Sequence, residues 1–279
     1  MELEIIIVGY VEVNGKKLHY NVEGEGSEVI VLLHGIPGFC YDFRKNVKPL
    51  SKRFKVVTID LKGFGHSEKG DWRVEEFRNE VMAEEVINAL QLLGFKDFTV
   101  LGHDIGSIIS QLISLKLNNK LILINPAYKG MRYRWREIAN EYWYIFFHQT
   151  PLAEKMITSY LEDYLRYFFD SWTVQKFQEE EIEEYIKVYK EENSIKAVLS
   201  WYRAYVKYFK WSSIGKIKAP SLIMWSDSDP LFPFSWSDKL GEGFEEFKLV
   251  KINEAGHWPH IERADLVNKA IEDFMIGGL

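Results

Sequence analysis

A single cysteine, Cys40, stands in a chain of 279 residues, so no disulfide within the chain can hold the fold and a bridged framework of the secreted kind is excluded. Basic clusters are missing too. Lys and Arg number 35 against 41 Asp and Glu, and the net charge of −6 argues against nucleic acid or an anionic membrane surface as the partner. Apolar runs stay short: Val29–Leu33 and Leu121–Ile124 are strand-sized, where a spanning helix needs roughly 20 residues. The opening Met1-Glu2-Leu3-Glu4 lacks the basic stretch and cleavage site of a secretory leader, so a cytoplasmic location is expected.

What the chain does contain is alternation. Short β-branched runs at residues 29–33, 55–59, 98–101, 121–125, 221–225 and 247–252 are separated by longer amphipathic stretches, the pattern of a mostly parallel sheet covered by helices on both faces. Residues 5–13 and 17–22, broken by Asn14-Gly15, predict a hairpin ahead of it. Between Ile124 and Ser221 the strand-like runs give way to Tyr, Trp, Phe, Glu and Lys at helical spacing. Of 15 tyrosines, 12 lie between Tyr128 and Tyr208, which predicts an aromatic helical cap over residues 128–212, inserted into a core formed by 1–127 and 213–279.

The segment Leu101-Gly102-His103-Asp104-Ile105-Gly106-Ser107 joins a predicted strand to an apolar helix. Glycines two residues either side of Asp104 suit a tight strand-turn-helix elbow, in which the central side chain is the nucleophile. Here that position holds a carboxylate, which the helix N-terminus would keep ionised; capping that helix is the simpler role for an Asp. After the first long strand, His34-Gly35-Ile36-Pro37-Gly38 can turn the N–H of Ile36 toward the elbow, where it and the N–H of Ile105 would form an oxyanion hole. Asp227 and Asp229 follow the penultimate predicted strand, and His257, one of seven histidines, follows the last. Nucleophile, acid and histidine thus occur in the chain order of an α/β-hydrolase triad.

These motifs, over nearly the whole chain, resemble those of epoxide hydrolases of the α/β-hydrolase fold, with haloalkane and haloacetate dehalogenases as relatives. The resemblance implies Asp104 as nucleophile, His257 as general base and Asp229, placed just before Pro230, as the acid that orients it, with Asp227 the alternative. Trp143-Tyr144-Ile145 and Ser200-Trp201-Tyr202-Arg203 resemble the two cap segments whose tyrosines donate hydrogen bonds to the epoxide oxygen, which implies that role for Tyr144 and Tyr202 and substrate contact for Trp143 and Trp201. The implied reaction forms a covalent ester on Asp104, hydrolyses it to a diol, and needs a small-molecule substrate but no cofactor or metal. Dehalogenation by the same aspartate is the alternative. It fits less well because Ile105 stands where haloalkane dehalogenases usually carry a Trp, and Ile105, Ser107 and Ile108 supply no cation for a haloacid. A serine esterase would need Ser at the elbow, where Ser107 comes three residues late, and a non-catalytic receptor would not need Asp104, Asp229 and His257 together.

Overall fold

The computed structural model describes residues 6–132 and 139–279. Met1 to Glu4, Ile5 at the start of the expected hairpin, and residues 133–138 of the expected cap lie outside the described residues. Eight strands form one sheet: β1 (Ile6–Val13), β2 (Lys16–Glu23), β3 (Val29–Leu33), β4 (Lys55–Ile59), β5 (Thr99–His103), β6 (Leu121–Ile124), β7 (Ser221–Ser226) and β8 (Phe247–Ile252). Their order is β1-β2-β4-β3-β5-β6-β7-β8; the β1–β2 and β2–β4 pairs are antiparallel and the others parallel. Asn14 and Gly15, both at positive φ, make the two-residue hairpin turn expected of that dipeptide. Strand β5 runs two residues beyond its sequence estimate, because His103 still pairs with Ile124 on β6.

Strands β5, β6 and β7 are buried at every residue, which is why their sequences show no polar alternation. Among the described residues the α-helices are α1 (Val47–Ser51), α2 (Asn79–Leu92), α3 (Ile105–Leu117), α4 (Trp143–Phe147), α5 (Leu152–Ser159), α6 (Leu161–Ser171), α7 (Glu179–Tyr189), α8 (Ser194–Tyr208), α9 (Leu240–Gly243), α10 (Pro259–Glu262) and α11 (Ala264–Gly277). No helix among the described residues is long and apolar enough to cross a membrane.

Between β6 and β7 the described residues form helices α4 to α8 and no strand. In α6 and its C-cap, Leu161, Leu165, Phe168, Phe169 and Trp172 recur at intervals of three and four, so all five lie on one buried stripe. Truncating a fully buried aromatic such as Phe169 to Ala would cost about 3–5 kcal/mol. Polar contacts fasten this helical segment to the sheet's loops. Tyr185 donates to Asp42 Oδ1 at 2.8 Å, Arg44 Nε to Glu181 Oε1 at 3.0 Å, Tyr142 to the Leu231 carbonyl at 2.9 Å, and Trp201 Nε1 to Asn79 Oδ1 at 2.9 Å. The aromatic helices therefore lie against the carboxyl ends of the parallel strands, where ligand sites of such sheets form.

Candidate active site

Asp104 sits between β5 and α3 with φ 50° and ψ −118°, a strained conformation that costs of order 1–3 kcal/mol and persists only because its surroundings enforce it. The two flanking glycines are required by contact. A Cβ on Gly102 would come 2.2 Å from the Gly106 carbonyl, and one on Gly106 would come 2.2 Å from the Leu33 carbonyl. Although Asp104 occupies the N-cap position of α3, its carboxylate makes no capping bond to that helix. Instead Oδ2 accepts the N–H of Ile36 at 2.9 Å, and the Ile105 N–H at the start of α3 lies where it favours the carboxylate charge. Both residues expected at an oxyanion hole thus meet Asp104. Ser107 lies in the first turn of α3 and donates its hydroxyl to the Asp104 main-chain carbonyl at 2.5 Å, away from the nucleophile position.

The loop that presents Ile36 is set by His34, whose Nδ1 donates to the Gly35 carbonyl at 2.8 Å while Nε2 accepts the Leu61 N–H at 3.0 Å. Gly35 must be glycine, since a Cβ there would stand 2.7 Å from that of Asp104. Asp60, at the start of the loop after β4, accepts the N–H groups of Cys40 and His66 and pairs with His19. Burial opposes its charge, but His19 and His34 outweigh it and hold its pKa at about 2.

After β7, buried Asp229 accepts Nδ1–H of His257 at 2.9 Å on Oδ2, while its Oδ1 accepts the N–H groups of Leu231 and Phe232. Asp227, which competes with it in the sequence, makes no contact with the imidazole; it bonds Ser228 and the Ala255 N–H near the surface. His257 Nε2 is buried with no protein partner among the described residues, so it remains available as a base. Burial pulls the imidazole pKa down, yet Asp229, and then Asp104 and Glu262, hold it above its ordinary value. Asp104 shifts upward because burial outweighs the stabilising His257 charge and the two backbone N–H groups.

Tyr144 on α4 and Tyr202 on α8 meet edge to face with ring centres 5.6 Å apart. Burial first, and the Asp104 charge among the further causes, push both phenols well above their ordinary pKa, so both remain protonated donors. A cavity of about 330 Å³ reaches Asp104 between them and Ile108, Phe232, Trp201 and Tyr205. The structure does not bring Trp143 to this cavity. One residue before Tyr144 on a helical turn, it faces about 100° away; it is partly exposed and directs Nε1 toward the Tyr167 hydroxyl.

Four residues around His257 escaped the sequence reading. The Trp172 carbonyl accepts the His257 N–H at 2.7 Å. His103 Nε2 donates to the His257 carbonyl at 2.8 Å, and Asn125 Nδ2 supplies a second donor at 3.2 Å. The Glu262 carboxylate gathers the N–H groups of Gly256 and Trp258, on either side of His257, and those of Val174 and Gln175 from the helical segment. A Glu five residues after the histidine, opening onto the last helix, was the available signal for Glu262; Asn125 at the end of β6 offered a weaker one.

Two buried groups, His19 with Cys40 and Asp60, and Asp42 with His103 and His260, bring possible metal-ligating atoms within 4.8 Å of one another. In the first, Asp60 is already taken up by His19 and backbone N–H groups; in the second, Asp42 Oδ1 and His103 Nε2 are engaged with Tyr185 and the His257 carbonyl. Neither group lines the cavity at Asp104.

The model of the alpha/beta hydrolase fold family matches residues 28–264. Epoxide hydrolase 4 of Homo sapiens is 25% identical in an alignment covering 94% of this chain and 76% of that protein. A point mutant of an epoxide hydrolase from Bacillus megaterium superposes with a TM-score of 0.83 at 24% identity, over 96% of this chain and 99% of that one. Wild-type Cfl2 of Burkholderia cenocepacia gives a TM-score of 0.86 at 23% identity, over 96% and 95%. At these identities the two structural likenesses speak to the fold.

Proposed function

The chain belongs to the α/β-hydrolase family, and from that premise we propose that it is an epoxide hydrolase in which Asp104 forms a covalent ester and His257 directs water to break it. One observation carries the reading: two protonated phenols, Tyr144 and Tyr202, share a cavity wall with the Asp104 carboxylate. A carboxylate facing two phenolic donors suits an electrophile whose leaving atom is a basic oxygen held by covalent bonds on both sides. Residues 128–212 then serve as the cap that supplies these donors over the core of residues 1–127 and 213–279.

In the first step an Asp104 oxygen attacks an epoxide carbon. The carbon–oxygen bond breaks, its electron pair goes to the oxygen, and a phenol gives that oxygen its proton. The ester that forms has lost the aspartate charge, which removes one of the causes that raised both phenol pKa values. The resulting phenolate is thereby eased at the moment it forms. In the second step His257 Nε2 takes a proton from water as its oxygen attacks the ester carbonyl carbon. The N–H groups of Ile36 and Ile105, which already favour the carboxylate charge, support the tetrahedral oxyanion. Collapse frees the diol; the imidazolium returns its proton to the departing oxygen, and the second proton of the water restores the phenol.

Dehalogenation by the same nucleophile is the competing chemistry. A halide leaves without a proton and gains little from paired phenols, whereas the Ile105 side chain and the apolar cavity lining offer no halide or carboxylate ligand of their own. Parallel assays of the purified protein on styrene oxide, 1-bromobutane, fluoroacetate and p-nitrophenyl acetate decide between them. Diol formation from the epoxide is expected to dominate; halide release with no epoxide turnover would overturn the reading.

A further inference from the structure

Away from the candidate active site, one buried carboxylate gathers three residues whose side chains can bind a metal. Asp60 accepts the His19 ring Nδ1–H at 2.8 Å and the His66 backbone N–H at 2.9 Å on Oδ2, and the Cys40 backbone N–H at 2.5 Å on Oδ1. His19 comes from β2, Cys40 from the stretch after β3 and His66 from the loop after β4. All three line one surface pocket of about 440 Å³, and among the described residues it shares no wall with the cavity at Asp104.

Because Nδ1 carries the proton that meets Asp60, His19 Nε2 keeps its lone pair, and no described residue bonds it. An imidazole backed by a carboxylate in this way is the usual arrangement of a metal-binding histidine. A salt-bridged His–Asp pair alone would not call for a thiol and a second imidazole fastened to the same carboxylate. Cys40 is buried at the pocket wall, whereas His66 is exposed, its ring edge-on to that of His19 with centres 5.2 Å apart. One ligand atom each from His19, Cys40 and Asp60 already lies within 4.8 Å of the others. On a tetrahedral zinc ion, with bonds of about 2.3 Å to sulfur and 2.0 Å to nitrogen, two such donors stand roughly 3.5 Å apart. Small side-chain rotations close that difference, and the exposed His66 ring can turn inward to join them.

The local charge suits a cation. Asp60, held at about 2, is ionised throughout the neutral range. Burial first, and then the Asp60 charge, push the Cys40 thiol well above its ordinary value, so without a cation it keeps its proton. A divalent ion reverses this: sulfur binds the ion, its proton passes to solvent, and the two positive charges are met by the thiolate and the Asp60 carboxylate. One sulfur and two imidazole nitrogens favour zinc or cobalt(II) over magnesium or calcium, which require oxygen ligands.

We propose that His19 Nε2, Cys40 Sγ and an imidazole nitrogen of His66 form a site for one divalent ion of the zinc class, with Asp60 orienting the ligands from behind and the pocket admitting water to the fourth position. The site stands apart from the proposed reaction and does not depend on the epoxide reading.

The test titrates the chelator-treated protein with cobalt(II), then with zinc, using magnesium as the control. One cobalt ion per chain is expected, with the near-ultraviolet charge-transfer absorption of a cobalt–thiolate bond, which zinc then removes by displacement; magnesium should neither bind nor compete. Zinc should also slow the reaction of Cys40, the chain's single thiol, with a thiol reagent. Cys40→Ser should abolish the absorption, and His66→Ala should weaken cobalt binding by about 10-fold or more. The His66 side chain is exposed and its backbone N–H remains on Asp60, so this variant keeps the test in force should changes at buried Cys40 or His19 impair folding. Cobalt bound without the thiolate absorption, an affinity left unchanged by His66→Ala, or an equal response to magnesium overturns the assignment.

Discussion

The backbone N–H of His257 is held at 2.7 Å by the carbonyl of Trp172, a residue 85 positions earlier in the helical segment. The proposed base is therefore fixed partly by the segment that carries the phenols, and Glu262 strengthens the link by accepting N–H groups from both sides of it. Replacing Glu262 by Gln turns an amide NH₂ toward some of these donors. Leaving buried N–H groups unpaired should destabilise the protein by about 1–3 kcal/mol, and ester hydrolysis should slow more than ester formation because His257 loses its support. Thermal unfolding and single-turnover kinetics check both effects. An unchanged melting temperature with unchanged ester decay would remove Glu262 from this role.

Replacing His257 by Gln leaves Asp104 able to attack but deprives water of its base, so the ester should accumulate. Intact-mass spectrometry after adding styrene oxide should show one substrate mass attached, with peptide mapping placing it on Asp104. Asp229→Asn should give a milder version, slowing ester decay by roughly 10²- to 10⁴-fold as the imidazole loses its orienting carboxylate. Turnover at the wild-type rate by the His257 variant would contradict the mechanism.

Tyr144→Phe and Tyr202→Phe should each slow ester formation about 10- to 1,000-fold, the loss expected for one transition-state donor, and the double change should nearly abolish it. Decay of the ester should respond far less. Rapid mixing under single-turnover conditions separates the two steps, and full epoxide turnover by the double variant would take both phenols out of the reaction.

Ester hydrolysis needs a neutral imidazole. In the free protein Asp229, Asp104 and Glu262 together raise the His257 pKa against the pull of burial. Alkylation removes the Asp104 charge, so the pKa should drop in the ester, and ester decay should fail on the acid side at a lower pH than the one at which free His257 titrates by NMR. On the alkaline side both phenols, raised well above 10, should sustain ester formation to about pH 10. An acid midpoint for ester decay at or above the free-protein value would count against coupling between Asp104 and His257.

The parallel strands were legible because burial on both faces writes itself as unbroken β-branched runs, and the turn at Asp104 because its two glycines are forced by carbonyl contacts at fixed spacing. Asp229 could be preferred to Asp227 only through the family resemblance; in the structure the difference is that one is buried against Leu231 and Phe232 while the other stays near the surface. Trp143 shares a helical turn with Tyr144 and so faces a different direction, which adjacency in sequence does not show. Glu262 and Asn125 also act on backbone groups 88 and 132 residues away, and contacts that long leave no periodicity to read.

The bond from Ile36 to one oxygen of Asp104 makes the two carboxylate oxygens inequivalent before any substrate arrives. The oxygen so held is placed to become the ester carbonyl, leaving the other to attack. Hydrolysis at the carbonyl carbon then sends the attacking atom out with the diol and leaves an atom of water on the protein. In oxygen-18 water a single turnover should accordingly release diol with no heavy atom and leave one on Asp104, whereas a water that opened the epoxide directly would mark the product at once. Later cycles would pass the label outward, so the aspartate serves as a carrier whose own oxygens are exchanged for those of the solvent.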